Sequence, residues 1–166
     1  MNLPQNVVRC VCCGTGDPHT ICWGNDGFQE KGKQVKLRAR SEEAVKAVVI
    51  DGCLLSDKKQ KCDGLFILTS NKRNNHEIYI VLVELKGTNI YTAFQQLESV
   101  KDRSEYKQII EHFNSKYTVI EKFFIITNAA VSGPQRNNLK KSSGIKVGIL
   151  TSAKTKAKAL DLRKYL

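Results

Sequence analysis

Two acids and a lysine stand where core strands ordinarily carry apolar side chains. Ile80, Val81, Leu82 and Val83 lead into Glu84, Leu85, Lys86 and Gly87, so an apolar run ends by setting an acid and a base two positions apart. The run is β-branched or Leu, too short for a helix, and closed by Gly87, Thr88 and Asn89, which predicts a buried strand. Side chains alternate along a strand, so Glu84 and Lys86 share one face, roughly 6–7 Å apart along the chain, while Val81, Val83 and Leu85 take the other. Charges at the end of a buried strand are costly unless paired or bound to a metal.

A second acid answers that cost. Residues 61–68 form another largely apolar run, with Asp63 near its start, and the polar stretch 69–76 between the two runs predicts a turn. The runs then pair as an antiparallel hairpin in which the start of one strand meets the end of the next. That pairing delivers Asp63 to Glu84 and Lys86.

Cys62-Asp63, followed by Glu84-Leu85-Lys86 with the acids 21 positions apart, resembles the catalytic core of the PD-(D/E)XK nuclease superfamily, with Cys62 in place of the name-giving proline. The resemblance covers about residues 47–150 and not the N-terminal segment. It implies a restriction-endonuclease-like three-layer α/β sandwich around a central mixed sheet, and metal-dependent hydrolysis of phosphodiester bonds. Asp63 and Glu84 would be hard oxygen ligands for Mg²⁺ or Mn²⁺, joined by the backbone carbonyl of Leu85. Lys86 would position or activate water and offset charge in the transition state. Family members usually carry a further acid on the first helix, for which Glu42 is the first choice and Glu43 the fallback. They often carry a Gln near the catalytic lysine, and Gln96 stands at the border of the corresponding helix. The alternative is a catalytically silent nucleic-acid-binding or interaction module of the same fold, with or without a zinc site at the N-terminal cysteines.

The elements that must position these residues follow from local patterns. Residues 1–27 are rich in Gly, Asn, Asp and Cys and read as irregular, with a short strand at 7–11. The basic stretch 28–43 is a weak helix interrupted by Gly32, and Ser41 can cap a helix through Ala44, Val45 and Val48 that carries Glu42. Residues 47–55 have the β-branched density of a strand and complete a three-stranded meander. Asp51 within them is the rival first acid, ranked below Asp63 because adjacent Gly52 signals a bend. Asn89 caps a helix with Ile90, Ala93, Phe94, Leu97 and Val100 on one face. A second helix over 104–113 leads to a strand at 122–128, parallel to the Glu84 strand after a helical crossover. A short basic helix at 135–141, a last strand at 146–151 and a Lys-rich helix over 153–166 finish the chain. This order predicts a mixed sheet with helices on both faces.

The chain has 166 residues, 41% hydrophobic and 26% charged, which fits one ordinary globular domain. No run is long enough to span a membrane and residues 1–10 lack a signal-peptide core, so a cytoplasmic protein is expected. The net charge of +11, from 27 Lys and Arg against 16 acids, fits a phosphate-rich partner, for which the resemblance implies nucleic acid with DNA favoured over RNA; solvated surface lysines would account for the same excess. One centre cuts one strand, so a duplex substrate would call for a twofold homodimer. Six cysteines, at 10, 12, 13, 22, 53 and 62, are expected as buried free thiols. Cys10, Cys13, Cys22 and His19 could instead complete a zinc site.

Overall fold

The computed structural model describes residues 1–14, 16–70, 76–86, 88–133, 145–151 and 159–166. In chain order the elements are α1 (Gln5–Val8), β1 (Gly27–Glu30), β2 (Lys33–Lys36), β3 (Glu43–Val49), β4 (Gly64–Ser70), β5 (Glu77–Lys86), α2 (Ile90–Lys101), α3 (Ser104–Asn114), β6 (Thr118–Thr127), β7 (Val147–Thr151), β8 (Leu160–Asp161) and a 3₁₀ turn (Leu162–Tyr165). Strands β3 to β7 form one mixed sheet in sequence order. The first three are an antiparallel meander, and β6 and β7 then run parallel to β5. The α2–α3 pair is the crossover that a parallel β5–β6 step requires.

Alternation along β5 divides the core in two. Ile78, Ile80 and Leu82 point to the helix side, where they join Leu65, Ile67, Ala93, Leu97, Val100, Ile109 and Phe113. Val81, Val83 and Leu85 point to the other side, with Phe66, Leu68, Phe124 and Ile126. Helix α2 forms because Asn89 caps it, its Oδ1 accepting from the Thr92 N–H at 3.0 Å, and because Ala93, Phe94, Leu97 and Val100 recur at helical spacing. Burial of each large apolar side chain contributes about 1.5–3 kcal/mol.

The second face departs from the sequence reading. Helices were expected on both faces, but this one is covered by a small sheet of order β1-β2-β8, whose Phe28 and Val35, with Leu37 just beyond β2 and Leu162, fill the second core. Lys31 and Gly32, at φ 47° and 77°, make the tight left-handed turn of a hairpin, which a helix through 28–43 could not contain. Strand β3 likewise occupies 43–49 rather than 47–55, because Val45, Ala47 and Val49 alternate into the second core while Val48 faces the helices. No helix starts at Ser41; Glu42 sits exposed at φ 65° in the turn before β3. The chain then bends at Gly52, φ 80°, as its sequence suggested. Of the expected strand at 7–11, Val7 and Val8 end α1, Arg9 and Cys10 form a turn, and Val11 bridges to Val48. Residues 160–165 are a strand and a 3₁₀ turn instead of a helix. The rest of the Lys-rich segment, at 152–158, and the basic helix at 135–141 lie outside the described residues.

Gly64 allows the two layers to meet. A Cβ there would stand 2.5 Å from Cζ of Phe28, whose ring lies 4.8 Å from that of Phe66. The hairpin can therefore press onto the start of β4 only because position 64 lacks a side chain.

The cysteines also differ from expectation. Cys10 is bonded to Cys53 and Cys12 to Cys22; Cys13 and Cys62 are free. Buried free thiols are the expectation for all six; instead these bridges tie the irregular N-terminal segment to the bend after β3 and to the loop before β1. No helix among the described residues is long and apolar enough to cross a membrane.

Two predictions follow from this packing. Gly64→Ala should lower stability by about 1–3 kcal/mol in a thermal or denaturant melt, with the clash relieved by adding Phe28→Leu. The Cys10–Cys53 bridge closes a segment of 43 residues, and its loss in Cys10→Ser/Cys53→Ser should cost about 2–5 kcal/mol. Peptide mapping without reductant that finds neither Cys10–Cys53 nor Cys12–Cys22 would refute the pairing.

Candidate functional site

The register of β4 on β5 builds the centre. Gly64 pairs with Val83, so Asp63, one residue earlier, meets Glu84, one residue later. The Asp63 N–H donates to Glu84 Oε2 at 3.2 Å, and the Leu85 N–H donates to Asp63 Oδ2 at 2.6 Å. Each acid thus holds the other's strand end in place. Glu84 and Lys86 share the helix-side face, as alternation requires, and Lys86 Nζ lies 3.6 Å from Glu84 Oε1. From α2, Gln96 Oε1 accepts from Lys86 Nζ at 2.9 Å while its Nε2 donates to the Lys61 carbonyl at 2.8 Å. The Ser99 hydroxyl donates to the Gln60 carbonyl at 2.8 Å. Helix α2 therefore fixes both the lysine and the loop that presents Asp63.

Of the residues singled out from sequence, Asp63, Glu84, Lys86 and Gln96 come together. Leu85 is present through its amide, which anchors Asp63, and its side chain belongs to the second core. Glu42 and Glu43 do not join them. Glu43 pairs with Ser70 at the end of β3 opposite to Val49 and Gly64, roughly 20 Å of strand away, and its Oε1 accepts from Arg163 Nη2 at 2.6 Å.

Acids from other segments stand near Asp63 in their place. A cleft of about 620 Å³ opens at this end of the sheet, lined by Asp63, by Asp51 and Gly52, by residues 18–21 and by the β1–β2 tip, residues 29–34. Glu30 and Asp51 both lie close enough for their charges to act on Asp63. Glu30 is the cross-strand partner of Lys33, and both follow the inward alternation of Phe28 and Val35. Glu30 and Lys33 were missed in the sequence because the stretch was read as a broken basic helix. Its period-2 pattern, with Phe28 and Glu30 on one side of Lys31-Gly32 and Lys33, Val35 and Leu37 on the other, was the available signal.

A zinc site at the N-terminal cysteines is not formed. Among the described residues, Cys12, Asp17 and Cys22 do lie within 4.8 Å of one another, but the two sulfurs are bonded together and Cys10 is bonded to Cys53. The exposed Cys13 faces Asp17, which accepts from its N–H and raises its thiol pKa.

Two carboxyl groups this close and this buried resist losing both protons. Burial pushes the Glu84 carboxyl far above the usual range and the neighbouring Asp63 charge adds to it, while Lys86 only partly offsets them. Asp63 is raised as well, first by burial, then by Glu30 and Asp51, against the opposing Leu85 hydrogen bond. Without a further cation the pair retains a proton at neutral pH.

The native state then binds more protons than the unfolded chain between the ordinary carboxylate range and the raised native values. Stability contributed by these groups is complete below that window and is lost as pH rises through it. Glu84→Gln should accordingly raise the melting temperature in chelator at pH 8 by about 2 °C or more, and the gain should vanish near pH 4. A Gln variant less stable than wild type at pH 8 would show that the Glu84 charge is compensated. No family model, no curated protein and no solved structure matches this chain.

Proposed function

We propose that the protein is a metal-dependent nuclease with the restriction-endonuclease-like version of this α/β sandwich, cutting phosphodiester bonds of nucleic acid, DNA in preference to RNA. The observation that carries the reading is the convergence of Asp63, Glu84 and Lys86 at one strand end, with Lys86 oriented by Gln96. A purely structural ion pair needs one acid for one base. A second buried carboxyl group adds repulsion without adding packing.

The donor set fits a hard divalent cation. Asp63 and Glu84 offer adjacent carboxylate oxygens, and their raised pKa values mark a place where positive charge is wanted. Mg²⁺ or Mn²⁺, with the Leu85 carbonyl as a third donor, would supply Lewis acidity toward a phosphoryl oxygen and acidify water. The chain's own groups do the rest. Lys86, held by Gln96, offsets the charge that builds on phosphorus-bound oxygens and orders the attacking water. Gln96, by holding the Lys61 carbonyl, keeps the loop before Asp63 from opening. The net charge of +11 favours approach of a polyanion, and affinity should fall steeply with salt.

Asp63→Asn and Glu84→Gln should each lower the rate of cleavage by about 100-fold or more in Mg²⁺ or Mn²⁺, and Lys86→Met comparably, while all three retain cooperative melting. The measurement is cleavage of supercoiled plasmid, linear duplex, single strands and RNA, each with Mg²⁺, Mn²⁺ or chelator. Wild-type protein that binds these substrates and cuts none in any metal would replace the nuclease with the catalytically silent binding module.

A further inference from the structure

Lys33 is 2% exposed, on the strand whose Val35 enters the second core, and yet it lines the cleft beside Asp63. The acids around it already have partners. Glu30 Oε1 is 3.2 Å from Lys31 Nζ, Asp51 Oδ1 is 3.3 Å from Lys61 Nζ, and Asp63 Oδ2 accepts from the Leu85 N–H at 2.6 Å. Among the described residues the Lys33 ammonium makes no hydrogen bond and no ion pair within 4.0 Å. The Lys33 side chain is almost wholly buried and its ammonium keeps only the solvent contact that the cleft provides, so an unpaired cation placed there is ready for an anion. The β1–β2 turn fixes its position, since Lys33 pairs with Glu30 next to Lys31 and Gly32.

We propose that Lys33 is an anion-binding residue of this cleft and grips a backbone phosphate of the nucleic acid beside the bond that Asp63, Glu84 and Lys86 address. This rests on the nuclease reading and assigns its substrate-holding surface to the hairpin tip. An ammonium suits that role as a compact point charge with three donors, which reads the backbone and carries no base sequence. Glu30 and Asp51 are engaged by Lys31 and Lys61, which among the described residues leaves Lys33 as the unpaired cation on this wall of the cleft and gives a phosphate one place to sit.

The test is a salt titration of oligonucleotide binding by fluorescence anisotropy, with Ca²⁺ in place of Mg²⁺, for wild type and for Lys33→Met, Lys33→Gln and Lys33→Arg. The Met and Gln variants should bind roughly tenfold more weakly. Their slope of log affinity against log salt should shrink by about 0.9 for duplex or about 0.7 for single strands, and Arg should restore it. Melting of the free Met variant should be unchanged or higher, since a buried charge has been removed. In the unaltered protein, the Lys33 Nζ resonance should shift on titration with oligonucleotide. An unmoved resonance, or a wild-type slope in the Met and Gln variants, overturns the assignment and leaves the nuclease reading standing. A wild-type protein that binds no oligonucleotide at any salt overturns both.

Discussion

Everything at the working end of this molecule depends on the point where the β4–β5 ladder stops. At Asp63 the ladder gives way to a side-chain exchange: its N–H goes to the Glu84 carboxylate, and its own carboxylate takes the Leu85 N–H. These bonds hold the register of two strands whose faces are both buried. A slip of one residue would turn Ile80 and Leu82 into the second core and Glu84 with them, placing the acid on the wrong face of the sheet. The register that packs the core is thus the one that assembles the acids, and neither can shift alone.

The second constraint is steric. A mixed sheet with two apolar faces needs two covers, and α2 with α3 supply only one. The other comes from the chain's N-terminal part, folded as a hairpin whose Phe28 rests on Gly64. That contact sets the hairpin tip over Asp63 and encloses the cleft. Two disulfides hold the segments flanking this arrangement, one reaching Cys53 beside the Asp51–Gly52 bend and one spanning the loop that contributes residues 18–21 to the cleft. Loops with few apolar side chains of their own are given fixed positions by these covalent ties.

Charge is distributed unevenly to match. The protein as a whole is strongly basic, while Glu30, Asp51, Asp63 and Glu84 gather at one end of the sheet. Burial first, and then repulsion within that group, raises the Asp63 and Glu84 pKa values. The net charge of +11 and the acidic group at one end of the sheet therefore oppose one another in sign.

The sequence by itself determined the meander, the crossover and the four residues at its end. Apolar runs with β-branched density made β4, β5 and β6 legible, and the Asn89 cap with its 3.6-residue stripe made α2 legible, because these signals are local. Asp63, Glu84 and Lys86 were found because hairpin pairing and strand alternation fix their relation, and Gln96 because it borders the α2 stripe. Only the tertiary structure decided what covers the second face. In residues 28–43 the alternation is short, interrupted by Lys31-Gly32 and crowded with lysines, so its period was ambiguous until the sheet supplied a surface to pack on. Glu42 was misplaced for the same reason: Ser41 caps a helix on paper, but β4 offers seven residues of backbone hydrogen bonding to 43–49, and edge pairing prevailed over the local cap. The disulfides, and the approach of Glu30 and Lys33 to Asp63, join residues distant in sequence, and spacing along a chain holds no information about which distant segments will meet.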